Sequence, residues 1–343
     1  MNKKFKKIIK MIIIISLILI LIVISYFFIG FPKPRQDIVW GVNFSYKHAQ
    51  ALGLDWRETY LAILDDLKVK NIKLATYWDF IEGEQGNYYF NDLDWLIEEA
   101  EKREVKLIMV IGMKTPCWPE CHFPVWAKNL TKEEQQKEIL EMIEQMVLRY
   151  KNSEAIKYWQ VENEPFFPFG QCPWRDNDFL GEEIKLVKAL DSSRKIIISE
   201  SGEFPMWFRA AKYGDILGIT MYRKVWFKEI NSYVSYPFPA TFYKRKTQLI
   251  KWLFNKEVIC VELQAEPWGP SLVYDLPLVE QEKTMNLERF KENVEFAQKT
   301  GLAEFYFWGA EWWYWMKEKQ NRPEIWQEAK NLLISPLLIS PAY

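Results

Sequence analysis

The chain has no surplus of charge of either sign. Its 45 lysines and arginines stand against 46 aspartates and glutamates, giving a formal net charge of −1 and a pI near 6.3. That balance argues against a polyanion-binding surface, so nucleic acid is not an expected partner. Beyond residue 36 there is also no linker, internal repeat or low-complexity segment to divide the chain, and residues 37–343 read as one large domain. Cysteine is sparse. Cys117, Cys121 and Cys172 sit in loop-like stretches, TPCWPECHFP and FGQCPW, whereas Cys260 lies inside the apolar run VICV and is expected to be buried. Outside the cell two of the three loop thiols are able to pair, which leaves one over. A Cys-Cys-His-Cys metal site with His122 as its fourth ligand is disfavoured, because the third cysteine lies about fifty residues from the C-x3-C-H cluster and that spacing is a poor zinc signature.

The N-terminus is a case of its own. Lys3, Lys4, Lys6, Lys7 and Lys10 lead into nineteen uncharged residues, Met11 to Ile29, with only Ser16 and Ser25 clearly polar. At 1.5 Å per residue that run is long enough to cross a hydrocarbon core of about 30 Å. A cleaved signal peptide is the competing reading, but its apolar region is usually about 7 to 15 residues and ends in small residues. The exit here, YFFIGFP, has no such site. Residues 1–36 are therefore expected to be a basic cytoplasmic tail, an uncleaved single-pass membrane anchor and a short linker. Lysine asymmetry places the remaining domain outside the cytoplasm, at the cell membrane.

After residue 37 strand-like and helix-like runs alternate. The strands read as 38–44, 71–77, 105–112, 156–162, 195–200, 215–222, 258–263 and 303–309. Amphipathic helical runs lie between them, among them DWRETYLAILDDLKV, NDLDWLIEEAEKR, TKEEQQKEILEMIEQMVLRY and LERFKENVEFAQKTG. Thr131 with Glu134 forms a capping-box signal, and Gly301 stands where a helix C-cap belongs. Eight continuous apolar strands separated by helices predict a closed (β/α)8 barrel, whose functional residues gather on the loops after the strands. A bridge from Cys172 to Cys117 or Cys121 would tie the loops after strands three and four.

Those strand ends are acidic and aromatic: Trp78 and Asp79 after the second, Glu164 after the fourth, Glu200 and Glu203 after the fifth, Tyr222 at the sixth, Glu262 and Glu266 at the seventh, Trp308 and Glu311 at the eighth. Strands four and seven face each other across a barrel mouth. A carboxyl from each meets the demand of retaining glycoside hydrolysis, in which one gives a proton to the leaving oxygen and the other attacks the anomeric carbon, the two carboxyls standing about 5 to 5.5 Å apart.

WQVENEP and VICVELQ resemble the fourth and seventh strands of the retaining (β/α)8 glycoside hydrolases of clan A, the cellulase-like and β-galactosidase-like superfamily. EGEQGNYYFNDLDWLIEEA is similar to the second βα unit of such enzymes, so the resemblance covers the chain from about residue 38 onward. It implies Glu164 as acid/base, Asn163 as ligand of the sugar 2-hydroxyl and Glu262 as nucleophile, with Tyr222 bonded to the nucleophile and Trp308 a platform under the sugar. It further implies a β-linked oligosaccharide or polysaccharide substrate and calls for no metal or organic cofactor. A catalytically inactive carbohydrate-binding barrel and a transglycosidase are the alternatives on the same fold. Strand two offers Lys73 where the clan often has arginine, and two histidines, His48 and His122, exclude a histidine-rich sugar subsite.

Further expectations concern the neighbours. Side-chain alternation puts Cys260, Glu262 and Gln264 on the inner face of strand seven, with Ile259 and Val261 against the helices. Asn163 and Glu164 cannot both point inward from a regular strand, which predicts a bulge or sharp twist. Glu162 is read as a structural ion-pair partner, and Glu200, Glu203 and Glu311 as solvated rim. Trp118, Trp268, Trp312 and Trp313 are candidate subsite walls.

Overall fold

The computed structural model describes residues 3–334, so residues 335–343 of the expected barrel domain lie outside the described residues. Eight parallel strands form a closed barrel: β1 Val39–Phe44, β2 Asn71–Ala75, β3 Lys106–Ile111, β4 Ile156–Val161, β5 Lys195–Glu200, β6 Ile216–Met221, β7 Glu257–Gln264 and β8 Glu304–Trp308. Each predicted strand is present, displaced at its ends by at most two residues. Helices surround the barrel, including Trp56–Asp65, Asn91–Glu101, Lys132–Tyr150 and Leu287–Thr300 at the predicted places. The Thr131–Glu134 capping box forms, and Gly301 closes its helix at φ 82°, a conformation that costs glycine little.

Two apolar layers hold the barrel. The larger lies between strands and helices. The smaller fills the lumen with Ile108, Ile197, Ile216, Ile259, Val261 and Tyr306, against Tyr158. This corrects the alternation expected for β7: Ile259 and Val261 face the lumen, while Cys260 joins the outer layer. The pairing with β6 slips by one residue between Cys260 and Glu262, and this bulge resets the parity so that Glu262 points inward.

One element was not foreseen. Lys224–Phe227 and Ser232–Ser235 pair as an antiparallel hairpin in the loop after β6, closed by Asn231 in the left-handed conformation. Strands of four residues are too short to display a period-two signal.

The N-terminal run is a helix, Lys3–Phe28, whose apolar length stays exposed and whose mean hydropathy reaches 3.2 over its best 18 residues. Only its end touches the barrel. Phe27 and Phe28 contact Phe242 on helix Ala240–Phe254, and the Thr241 hydroxyl donates to the Gly30 carbonyl at 2.9 Å. The chain then reaches the opposite end of the barrel, where the Arg35 amide bonds the Gln298 carbonyl.

Candidate active site

The residues that follow β4, Glu162, Asn163, Glu164 and Pro165, explain how two adjacent side chains face one mouth. Within β4, Gln160 points into the lumen and Trp159 points out, its indole N–H donating to Asp191. Glu162 and Glu164 then take positive φ, 57° and 45°, so the strand ends in the predicted sharp twist. Such angles are costly for non-glycine residues and mark a site worth attention. The twist sends Glu162 away from the mouth. Its carboxylate accepts the backbone amides of Met113 and Lys114 at 2.8 and 2.7 Å, beside a glycine, Gly112, whose added Cβ would meet it at 2.5 Å. Among the described residues Glu162 forms no ion pair, contrary to expectation. Burial lifts the Glu162 carboxyl to about 7 and the neighbouring Glu183 well above its usual range, as for two carboxyls sharing a proton.

Asn163 and Glu164 turn inward. The Asn163 carbonyl accepts from Lys73 at 3.3 Å and from Gln160 at 3.0 Å. Across the mouth, Glu262 is held on both oxygens: the Lys73 ammonium donates to one at 2.7 Å and the Tyr222 hydroxyl to the other at 2.9 Å. Lys73 is fully buried, so β2 supplies the cation that the sequence comparison expects from arginine. Glu164 receives a single side-chain bond, from the Thr220 hydroxyl at 2.8 Å. Burial raises its carboxyl to about 8, and the charge of Glu262 adds to the shift against the opposing influence of Lys114. One carboxyl is thus protonated at neutral pH and the other is furnished with a cation and a phenol.

A third carboxyl, missed in the sequence, joins them. Glu120 lies 3.4 Å from the Asn163 amide and is raised to about 8, by burial and by Glu262 and Glu164, against Lys114. Its backbone sits at φ 74°, and a Cβ on Gly170 would come within 2.5 Å of its own. CWPECHFP carries no periodicity that points to it. Because its folded pKa exceeds the ordinary value of 4.5, the stability it lends is present below about pH 4.5 and lost as pH rises towards 8. Glu120→Gln should therefore gain a few degrees of melting temperature over the parent chain at pH 8 and little at pH 5, read by calorimetry.

The loop bearing Glu120 is tied down by the Cys121–Cys172 disulfide, one of the two expected pairings, and Cys117 is free. The bridge takes up two of the sulfurs that the disfavoured Cys-Cys-His-Cys site would need, and among the described residues no group of three or more His, Cys, Asp or Glu is arranged to hold an ion. The bridge spans 51 residues, so Cys172→Ser should lower stability by about 2–4 kcal/mol, measured by denaturant unfolding.

The rest of the mouth is aromatic and acidic. The Trp308 indole N–H donates to Glu266 at 2.8 Å, and His48, stacked near Trp308, bonds the other Glu266 oxygen at 2.8 Å. Burial opposes a charge on His48, but Glu266 and Cys117 outweigh it and raise the ring well above its usual pKa. Glu266 is thus engaged by His48 and Trp308. His122, in contrast, is driven down to about 3 by burial and by Lys47, which itself pairs with Asp79 at 2.6 Å. The three acids expected on a solvated rim are buried instead. Glu203 accepts the Tyr222 amide, Glu311 accepts the Ser45 amide, and Glu200 lies under the loop after β5. Trp312 and Trp313 belong to the core. Trp118 remains exposed, and ring contacts run from it through Phe169 and Trp268 to Tyr222.

Comparison with known proteins bears on this arrangement. The sequence model described as Glycosyl hydrolase family 10 matches residues 58–195, less than half of the chain. Solved structures share the fold at low identity. GH5_18 from Bifidobacterium longum subsp. longum aligns with a TM-score of 0.63 at 11% identity, over 89% of this chain and 80% of that one. In sequence over residues 58–195, and in fold over most of its length, the chain is similar to (β/α)8 glycoside hydrolases. GH5_18 from Streptomyces cattleya, solved in complex with GlcNAc, aligns with this chain at a TM-score of 0.59 and 12% identity, over 90% and 82% of the two chains. An endo-β-1,4-mannanase from Thermotoga petrophila does so at 0.52 and 16%, over 80% and 68%. No curated protein sequence matches it. The family match takes in β4 with Glu164 but stops before β7 with Glu262.

Proposed function

We propose that this protein is a membrane-anchored retaining β-glycosidase that cleaves an oligosaccharide or polysaccharide by double displacement, with Glu164 as acid/base and Glu262 as nucleophile. The observation that carries this reading is the unequal treatment of the two carboxyls. Lys73 and Tyr222 both donate to Glu262, whereas Glu164 is buried with a raised pKa and one hydroxyl donor. Glu164 then protonates the departing glycosidic oxygen while Glu262 attacks the anomeric carbon and forms a glycosyl-enzyme. Glu164, now a base, takes a proton from the water that releases the sugar, and two inversions give net retention. Asn163, fixed by Lys73 and Gln160, is positioned to hold the sugar 2-hydroxyl, with Trp308 as a platform beneath the ring. The exposed apolar helix Lys3–Phe28 supports the anchor, with the barrel outside the cytoplasm. The test is to screen the full chain against aryl β-glycosides and β-linked polysaccharides, beginning with mannosides and galactosides, and to follow the product anomer by NMR. The β-anomer should form first; first appearance of the α-anomer would contradict retention.

A further inference from the structure

We infer that the outer face of helix Ala240–Phe254, together with the rim at Phe204 and Met206, rests on an anionic lipid bilayer. The barrel then lies on its side along the membrane, with its mouth opening parallel to the surface. This inference rests on the anchoring part of the proposed function and is independent of the glycosidase chemistry.

Charge distribution is the first support. In a chain balanced overall, the 27 residues from Ile230 to Lys256 contain no aspartate or glutamate and five basic residues, Lys244, Arg245, Lys246, Lys251 and Lys256. Lys246 is buried, Lys251 is exposed, and Lys244, Arg245 and Lys256 are half-buried at the edge of this face. A basic face beside an apolar anchor is the signature of attraction to anionic headgroups.

Exposed apolar side chains are the second. At the far end of the helix Trp252 is 79% exposed and Leu253 47%; at the mouth end Phe204 is 60% exposed and Met206 42%. Trp252 lies on the same helical stripe as Arg245, and tryptophan beside lysine and arginine suits the headgroup level.

Continuity with the anchor is the third. Phe28, at the end of the apolar helix, meets Phe238 and Phe242, and Phe238 meets Phe204. The Arg245 guanidinium lies over the Tyr26 ring at 4.6 Å. The point at which the chain leaves the anchor is therefore built into this same face.

Position in the fold fixes the orientation. Helix Ala240–Phe254 begins on the mouth side after β6 and ends on the opposite side before β7, so it runs along the barrel axis for about 22 Å. Apolar contacts at both of its ends hold that axis parallel to the bilayer. The rim residue Phe204 directly follows Glu203, which accepts the Tyr222 amide, so the cleft wall at β5 and β6 sits beside the lipid surface. Such a cleft receives glycans that are themselves held at the membrane.

The test uses the full chain, with Cys117 changed to serine, in vesicles of phosphatidylcholine and phosphatidylglycerol. Single cysteines are placed by Trp252→Cys, Leu253→Cys and Phe204→Cys, and by Val125→Cys across the barrel, where Val125 is 78% exposed. Each is alkylated with a charged, membrane-impermeant maleimide, and its rate is divided by that of the same chain unfolded in urea. The three positions on the proposed face should be protected about tenfold or more and position 125 hardly at all. Equal rates at all four would overturn the bilayer contact. Failure of the chain to float with the vesicles would overturn the anchor on which it rests.

Discussion

Glu262→Ala should abolish turnover, lowering kcat on aryl glycosides by at least about four orders of magnitude. The residue stands at the β7 bulge with a lysine ammonium on one oxygen and a phenol on the other. Removing it takes away the atom that forms the glycosyl-enzyme and leaves Lys73 as a buried cation whose carboxylate partner is gone. Azide, entering the vacated space, should restore some rate and give an inverted glycosyl azide. Unchanged activity in this variant would refute the assignment outright.

Glu164→Ala should separate substrates by their leaving groups. A nitrophenolate departs without a proton, so glycosylation of the enzyme persists, whereas an alkyl or sugar leaving group needs the acid and loses about 10²- to 10⁴-fold. Azide should accelerate the second step and yield a retained product, because one inversion on Glu262 has already taken place. The pH profile carries the same signature. Glu164 must be protonated to act as acid, and its carboxyl is raised to about 8, so activity should fall as pH climbs through that value. In Glu164→Ala that alkaline limb should vanish for activated substrates. Survival of the limb would place it on another group, Glu120 being the nearest alternative.

The barrel was legible because its strands are buried on both faces and read as unbroken apolar runs, and because caps such as Thr131–Glu134 and Gly301 mark helix ends locally. That Glu164, Asn163 and Glu262 stand at the barrel mouth was legible because each lies at or just past the end of such a run. The order of residues along β7 was not, since the slip at Val261 depends on pairing with β6 and leaves no trace in the sequence. Glu120 was hidden for a related reason: a left-handed backbone, Gly170 and a disulfide fifty-one residues long bring it to the mouth, and only the folded loop joins them. The burial of Glu200, Glu203 and Glu311 was misjudged because an acid at a strand end usually meets water, whereas here Tyr222 and Ser45 present backbone amides to two of them.

The most direct test is to trap the intermediate. The full chain is incubated with an activated 2-deoxy-2-fluoro β-glycoside of whichever sugar it hydrolyses, and the adduct is located by mass spectrometry of its peptides. The fluorine slows release of the sugar more than its capture, so a glycosyl group should be found on the peptide containing VICVELQ, at Glu262. A label on Glu266 instead, or steady turnover of natural substrate with α-anomer product and no label at all, would contradict the double displacement.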